Sequence, residues 1–295
     1  MVLFMRELDL HVHTTASDGT CTPRETVRRA SELGLRGIAI TDHDTVSGHA
    51  EALSAGMDYD LEVVPGIEVS TRHGVEVHIL GYYIENLIPL LDNIVKDRDK
   101  RNEQVAALMA ADGLPVDYAR MKERFGKTIG RPHFGRILVE LGLAESVTDA
   151  FERYLGKGQR YFIPRKTIEL GPTVEAVALS GGVPVLAHPF QYKKDDGELR
   201  ELISVCMDHG LKGMECRYSG YDSEQVRYLE SLAEEYGLLK TGGSDFHGDN
   251  KPHIGLGTGM SGELDVPYAW LERLREEAEK IHQSLSSQAA SSSTE

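Results

Sequence analysis

The sequence predicts an α/β protein built as a (β/α) barrel with a helical segment inserted into it. Three observations carry that prediction. Short apolar runs alternate with helical stretches at both ends of the chain, as in parallel strands joined by helical crossovers. About seven such runs occur, with too many crossovers for a sandwich. Nearly every run ends in an imidazole or a carboxylate, where a barrel gathers side chains at the C-terminal mouth of its strands.

The elements follow in order. Residues 7–13 alternate, with Leu8, Leu10 and Val12 on one face and Asp9, His11 and His13 on the other. Thr22-Pro23-Arg24-Glu25 supplies an N-cap, a first-turn proline and a capping-box glutamate, and Gly34 closes that helix. A buried-type strand, 35–41, runs into Asp42-His43-Asp44. A helix over about 46–57 precedes strands at 61–69 and 75–82. From residue 87 the rhythm changes: helical patterns at 87–112, 117–125, 132–142 and 147–155 follow with no strand between them. After Pro164 the alternation returns, with helices at 173–181, 197–209 and 222–236 and strands at 183–187, 213–216 and 238–241. The last strand leads into Gly242-Gly243-Ser244-Asp245-Phe246-His247. The expected organisation is a barrel over 1–86 and 167–283, a helical insertion over 87–166, and a small-residue disordered tail over 284–295.

The chain of 295 residues is 40% hydrophobic and 27% charged, as in a soluble globular protein, and no apolar run is long enough to span a bilayer. The first residues lack a basic start and a long apolar middle, so no secretion signal is expected. Cys21, Cys206 and Cys216 show no pairing or zinc-ribbon spacing, which points to a reduced, cytoplasmic setting. The net charge of −15 argues against a general nucleic-acid-coating surface. Residues 120–166 nevertheless hold 11 Lys and Arg against 5 Asp and Glu, an excess of +6, leaving 21 against 42 elsewhere. On charge alone this island fits a local anion site or a solvated helical face equally well.

The polar residues at the strand ends are His11, His13, Asp18, His43, Glu68, His78, His188, Asp245 and His247. Nitrogen and oxygen donors without a thiolate suit Mn²⁺, Zn²⁺ or Fe²⁺, and carboxylates can bridge ions. Nine donors are too many for one ion and enough for two or three. His49, His73, His209, His253 and His282 fall outside this set.

Taken in order, His11-Val12-His13, Thr41-Asp42-His43, Gly66-Ile67-Glu68, Val77-His78, Ala187-His188-Pro189 and Ser244-Asp245-Phe246-His247 resemble the metal motifs of the polymerase and histidinol phosphatase (PHP) superfamily. The resemblance covers about 1–84 and 167–260. It implies a distorted (β/α)7 barrel holding two or three divalent ions, Mn²⁺ foremost, with Fe, Zn²⁺ or Mg²⁺ as alternatives. It assigns His11, His13, Glu68 and Asp245 to a first ion. Glu68 as a bridge, His78 and His188 serve a second, and Asp18, His43 and His247 a third. Some branches place a histidine where Asp18 stands, and a carboxylate there makes that position harder.

The insertion narrows the resemblance. Gly130-Arg131-Pro132-His133-Phe134 and Tyr161-Phe162-Ile163-Pro164-Arg165 resemble the bacterial members that remove the 3′-phosphate of nucleoside 3′,5′-bisphosphates and trim short 5′-phosphorylated RNA. Pro132 marks a helix start, where free amides, Arg131 and His133 can meet a phosphate. Lys157, Arg160, Arg165 and Lys166 are weaker candidates. The implied activity is metal-dependent phosphoester hydrolysis, with metal-activated hydroxide attacking phosphorus and no side-chain nucleophile. Ser17, Ser70 and Ser244 lie near candidate ligands but lack a His-Asp pair free of metal duty. The implied partner is a nucleotide or short RNA, with no membrane and no obligate protein partner. A histidinol-phosphate phosphatase is the alternative on the same barrel, disfavoured by the basic insertion. An amidohydrolase is disfavoured by the lack of a strand-end lysine between Leu80 and Ala187. A degenerate polymerase-associated module is disfavoured by the full donor set.

Overall fold

The computed structural model describes residues 7–84, 89–126, 128–164, 168–260 and 262–292. The first elements are β1 (Leu8–Val12), α1 (Pro23–Glu32), β2 (Gly37–Ile40), α2 (His49–Tyr59), β3 (Glu62–His73) and β4 (Val75–Tyr82). Helix α1 begins as its sequence dictates: the Thr22 hydroxyl accepts from Glu25 N and the Glu25 carboxylate accepts from Thr22 N. Four helices follow, α3 (Pro89–Ala111), α4 (Tyr118–Phe125), α5 (Arg131–Glu140) and α6 (Val147–Ala150), the last continuing as one wide turn over Phe151–Leu155. They enclose an apolar core of their own that includes Met109, Ile129, Phe134, Leu138 and Leu155. The chain then forms β5 (Ile168–Glu169), α7 (Leu170–Leu179), β6 (Val183–Leu186), α8 (Asp196–Asp208), β7 (Gly213–Tyr218), α9 (Ser223–Glu235), β8 (Leu239–Gly243) and α10 (Tyr268–Ser292).

The sheet runs β1-β2-β3-β4-β6-β7-β8, with β5 paired alongside β3. Residues just past β8 return to β1: His13 N donates to Phe246 O (3.0 Å) and Asp245 N to His11 O (2.9 Å). A nearly closed seven-stranded barrel results, with helices around it. Leu8, Leu10, Ala39, Leu80, Tyr82 and Val185 form one of its buried clusters, and the Tyr82 hydroxyl donates to Leu10 O at 2.9 Å.

Two expectations are corrected. The sheet is not wholly parallel, because β4 runs antiparallel to both β3 and β6. Only Gly74, at φ +71°, separates β3 from β4. A connection that short makes a hairpin, since a parallel crossover needs about a dozen residues. The segment from residue 284 is not an irregular tail as far as it is described: α10 continues through Ser292, and 293–295 lie outside the described residues.

Candidate metal centre

All nine donors singled out in the sequence meet at one end of the barrel, for two different backbone reasons. His13, His43, His188, Asp245 and His247 follow the C-terminal ends of β1, β2, β6 and β8, and His11 lies near the end of β1. Glu68 stands midway along the long β3, and His78 lies in the N-terminal half of β4, which the strand's reversed direction brings to the mouth. The placement of His78 at a parallel strand's C-terminus is therefore corrected. His188 and Asp245 carry φ angles of +24° and +58°. Side-chain residues rarely adopt such values, and the surrounding contacts must hold them there.

Glu68, 1% exposed, is the hub. Its Oε2 lies 2.9 Å from His43 Nδ1, 3.3 Å from His13 Nε2 and 3.5 Å from His11 Nε2. Its Oε1 lies 2.8 Å from His78 Nδ1 and 2.9 Å from His188 Nε2. Asp245 Oδ1 stands 3.3 Å from both His13 Nε2 and His247 Nδ1. Asp18 lies 3.2 Å from His247 Nε2, 3.8 Å from His13 Nδ1 and 4.0 Å from His43 Nε2. The donors fall into overlapping groups: His13, Asp18, His43 and His247; His11, Glu68 and His188; His11, His13 and Asp245; His43, Glu68 and His78. His11, His13 and His43, as well as Glu68, thus each fall in two groups, a less strict partition than the family pattern implies.

The electrostatics follow from this crowding. Burial works against the Glu68 charge, but His78, His43 and His11 outweigh it and hold its pKa well below the usual carboxylate range. Burial also opposes protonation of His78, yet Glu68 drives its pKa up to about 10. At His247, burial prevails with help from Lys251 and His13, and the pKa falls to about 4. Among the described residues, the buried ring nitrogens His11 Nε2, His13 Nδ1 and Nε2, His43 Nδ1 and His188 Nδ1 make no well-aligned hydrogen bond, even where a carboxylate oxygen is close, as at His43 Nδ1. Buried imidazoles in this state, gathered with Glu68, Asp18 and Asp245, form clusters compatible with binding divalent ions.

A shell of buried carboxylates, missed from the sequence, supports these donors. Asp9 accepts from Ser244 N (2.8 Å), Ser244 Oγ (2.5 Å) and Gly257 N (2.7 Å). Asp42 accepts from Thr14 N (2.8 Å) and from the Thr14 and Ser17 hydroxyls (2.7 and 2.6 Å). Asp44 accepts from Ser70 N (3.0 Å) and pairs with Arg98. Glu215 contacts His11 and His188. Tyr218 and Lys251 both donate to Asp245 Oδ2, at 2.7 and 2.6 Å. Charged residues inside otherwise apolar strand runs were the available signal for Asp9 and Glu215.

Beside the centre, a cleft of about 190 Å³ is lined by Asp18, His43 and His78 from the barrel and by Arg98, Arg101, Arg131 and Phe151 from the insertion. Arg131 lines this cleft, 3.6 Å from Glu76 and within about 6 Å of the ring centres of Phe151 and Phe162. His133 does not line the cleft. It is buried against Phe125, its Nδ1 accepts from Gly130 N at 3.0 Å, and burial lowers its pKa to about 4. Its role as a phosphate ligand is corrected to that of a helix cap. Arg160 turns away to grip Asp112 at 2.7 and 2.9 Å, and exposed Lys157 lies outside the cleft. Arg165 and Lys166 lie outside the described residues. Arg98 and Arg101 were missed, although their i, i+3 spacing puts both on one helix face. Much of the local basic excess is paired, as in Arg124–Glu140, Arg153–Asp149 and Lys122–Asp99.

Comparison with known proteins agrees with this architecture. The model of the family described as "PHP domain" matches residues 9–171. The 5′-3′ exoribonuclease Rnm of Escherichia coli is 34% identical over 272 residues, 89% of this chain and 92% of that protein. The 3′,5′-nucleoside bisphosphate phosphatase of Chromobacterium violaceum is 31% identical over 250 residues, 82% of this chain and 88% of that protein. A crystal structure of a candidate metal-dependent phosphoesterase from Bifidobacterium adolescentis superposes with a TM-score of 0.80. It is 32% identical and covers 91% of this chain and 95% of that one.

Proposed function

The chain belongs to the PHP-domain family of metal-dependent phosphoesterases, and on that premise we propose that it removes the 3′-phosphate of nucleoside 3′,5′-bisphosphates, with 5′-3′ trimming of short RNA as a second activity. The observation that carries this reading is the junction of two chemistries. A cluster of His, Asp and Glu donors, with Glu68 at its hub, opens directly onto a cleft lined by Arg98, Arg101 and Arg131. A substrate with two phosphates needs one group at the reacting centre and cations within reach for the other. The two relatives act, by name, on such a nucleotide and on RNA.

The proposed ligands are His11, His13, Asp18, His43, Glu68, His78, His188, Asp245 and His247, holding two or three ions with Mn²⁺ foremost. Bound divalent ions supply charge neutralisation for phosphoryl oxygens and acidify water. The chain itself does the rest. Glu68 and Asp245 balance the cationic charge, and the side chains around them fix where a phosphorus atom can sit. Arg131, Arg98 and Arg101 hold the second phosphate by charge-assisted hydrogen bonds. No serine serves as nucleophile in this scheme: the Ser17 and Ser244 hydroxyls are bound to Asp42 and Asp9, not to an imidazole. A reducing, cytoplasmic setting accords with three buried free thiols.

Phosphate release with added Mn²⁺ tests the reading, comparing adenosine 3′,5′-bisphosphate with AMP, histidinol phosphate and a short 5′-phosphorylated RNA. The expected result is preference for the bisphosphate, with 5′-AMP as product and activity lost on chelation. Equal or greater turnover of histidinol phosphate overturns the assigned substrate and leaves the phosphoesterase centre standing.

A further inference from the structure

Of the seven strands that follow one another around the barrel, β7 is the one that contributes no residue to the proposed ligand set. We propose that β7 acts through Glu215, a positioning residue that presets two ligands for metal, one on β1 and one at the end of β6. The inference rests on the reading of His11 and His188 as ligands.

Glu215 is fully buried directly behind them. Its Oε1 lies 3.0 Å from His11 Nδ1, and its Oε2 accepts the His188 backbone N–H at 2.7 Å. A carboxylate whose other oxygen already accepts the His188 N–H is an acceptor for His11 as well, and this geometry assigns the His11 hydrogen to Nδ1. That leaves Nε2 facing the cluster, 3.5 Å from Glu68 and 3.8 Å from Asp245, with no hydrogen-bond partner. A carboxylate bound to the far nitrogen of a ligating imidazole fixes the ring's tautomer and orientation and makes the ligating nitrogen more basic.

The second oxygen does a different job. His188 sits at φ +24°, a conformation that costs energy unless its neighbours enforce it. The bond from its N–H to Glu215 is such a restraint, and it aims His188 Nε2 at Glu68, 2.9 Å away. One carboxylate therefore governs a side chain on one strand and a backbone on another. Both its oxygens are engaged there, which suits a support better than a tenth ligand.

Glu215→Gln tests this sharply. An amide has one acceptor and one donor end, so whichever way it is placed, one partner loses its acceptor. With the NH₂ facing His11, the ring must move its hydrogen to Nε2 and lose the lone pair that faces the cluster. The expected result is Mn²⁺ affinity roughly 10- to 100-fold weaker by chelator competition. The melting temperature in excess chelator should stay within about 3 °C of wild type. Activity should be recovered in part at high Mn²⁺, and Glu215→Asp, which keeps the charge, should fall between the two. A Gln variant that binds Mn²⁺ within about two-fold of wild type overturns the proposal. If the Gln variant does not fold, Asp decides by the same criterion. Wild-type protein that binds no divalent ion overturns the ligand assignment itself, and this inference with it.

Discussion

Five imidazoles lie within 3.5 Å of one carboxylate at Glu68, so this residue sets the charge balance of the whole centre. Glu68→Gln keeps the shape and removes the charge. Turnover should fall by more than about 100-fold, beyond the usual cost of losing a residue that only supports a ligand. Steady-state rates in saturating Mn²⁺ check this, and near-wild-type turnover refutes the assignment of Glu68 as the bridge. His133 offers a test of stability. Burial lowers its pKa to about 4 in the folded protein, against about 6.5 when exposed. The unfolded chain therefore takes up this proton first as pH falls. The contribution is complete above about pH 6.5 and erodes between there and pH 4, by up to about 3 kcal/mol. Replacing His133 by Gln removes the titrating group and keeps an acceptor for Gly130 N. Urea midpoints at pH 7 and 4.5 should differ less in this variant than in wild type. An unchanged difference refutes the account.

At the scale of elements, the insertion and the barrel meet through arginines. Arg131 lies in the first turn of α5, and Arg98 and Arg101 reach the same cleft from α3. Their roles should separate kinetically. Among the described residues, Arg131 meets Glu76, 3.6 Å away at the rim, and two aromatic faces. Arg131→Ala should raise KM for the bisphosphate roughly 10- to 100-fold, the value of one charge-assisted hydrogen bond, with kcat little changed. An equal effect on AMP refutes its assignment to the second phosphate. Arg98 also pairs with Asp44 and donates to His43 O at 3.2 Å. Arg98→Ala should therefore weaken Mn²⁺ binding as well as substrate binding, which chelator competition detects.

Across the whole molecule, the proposed ligands are drawn from six of the seven barrel strands or the turns that follow them, so the proposed metal binding would be coupled to barrel closure. Ions bound to the folded state alone stabilise it by mass action, about 2.7 kcal/mol per ion at one hundred times its Kd. Chelation should lower the melting temperature by roughly 5–10 °C per tightly bound ion, and added Mn²⁺ should restore it with a concentration-dependent midpoint. A melting temperature indifferent to both chelator and Mn²⁺ contradicts this coupling.

Short-range chemistry was legible throughout. The caps of α1, the run of helices from α3 to α6 and the alternation that put His11 and His13 on one strand face are written in adjacent residues. So are the nine candidate donors, because any one of them alone reads as structural but their recurrence at the ends of successive apolar runs does not. Contacts that span the chain were not legible. The direction of β4 depended on a one-residue turn, and the pairing of His11 with Glu215 joins residues 204 apart. The inward turn of His133, the diversion of Arg160 to Asp112 and the reach of Arg98 and Arg101 into the cleft depend likewise on how helices pack. The sequence by itself singled out the nine residues that meet at one end of the barrel, and predicted that barrel. Only the tertiary structure decided which carboxylates lie behind the cluster rather than within it and which arginines face the cleft. Periodicity reports the face a side chain takes on its own element, whereas its partner is chosen when distant elements close on one another.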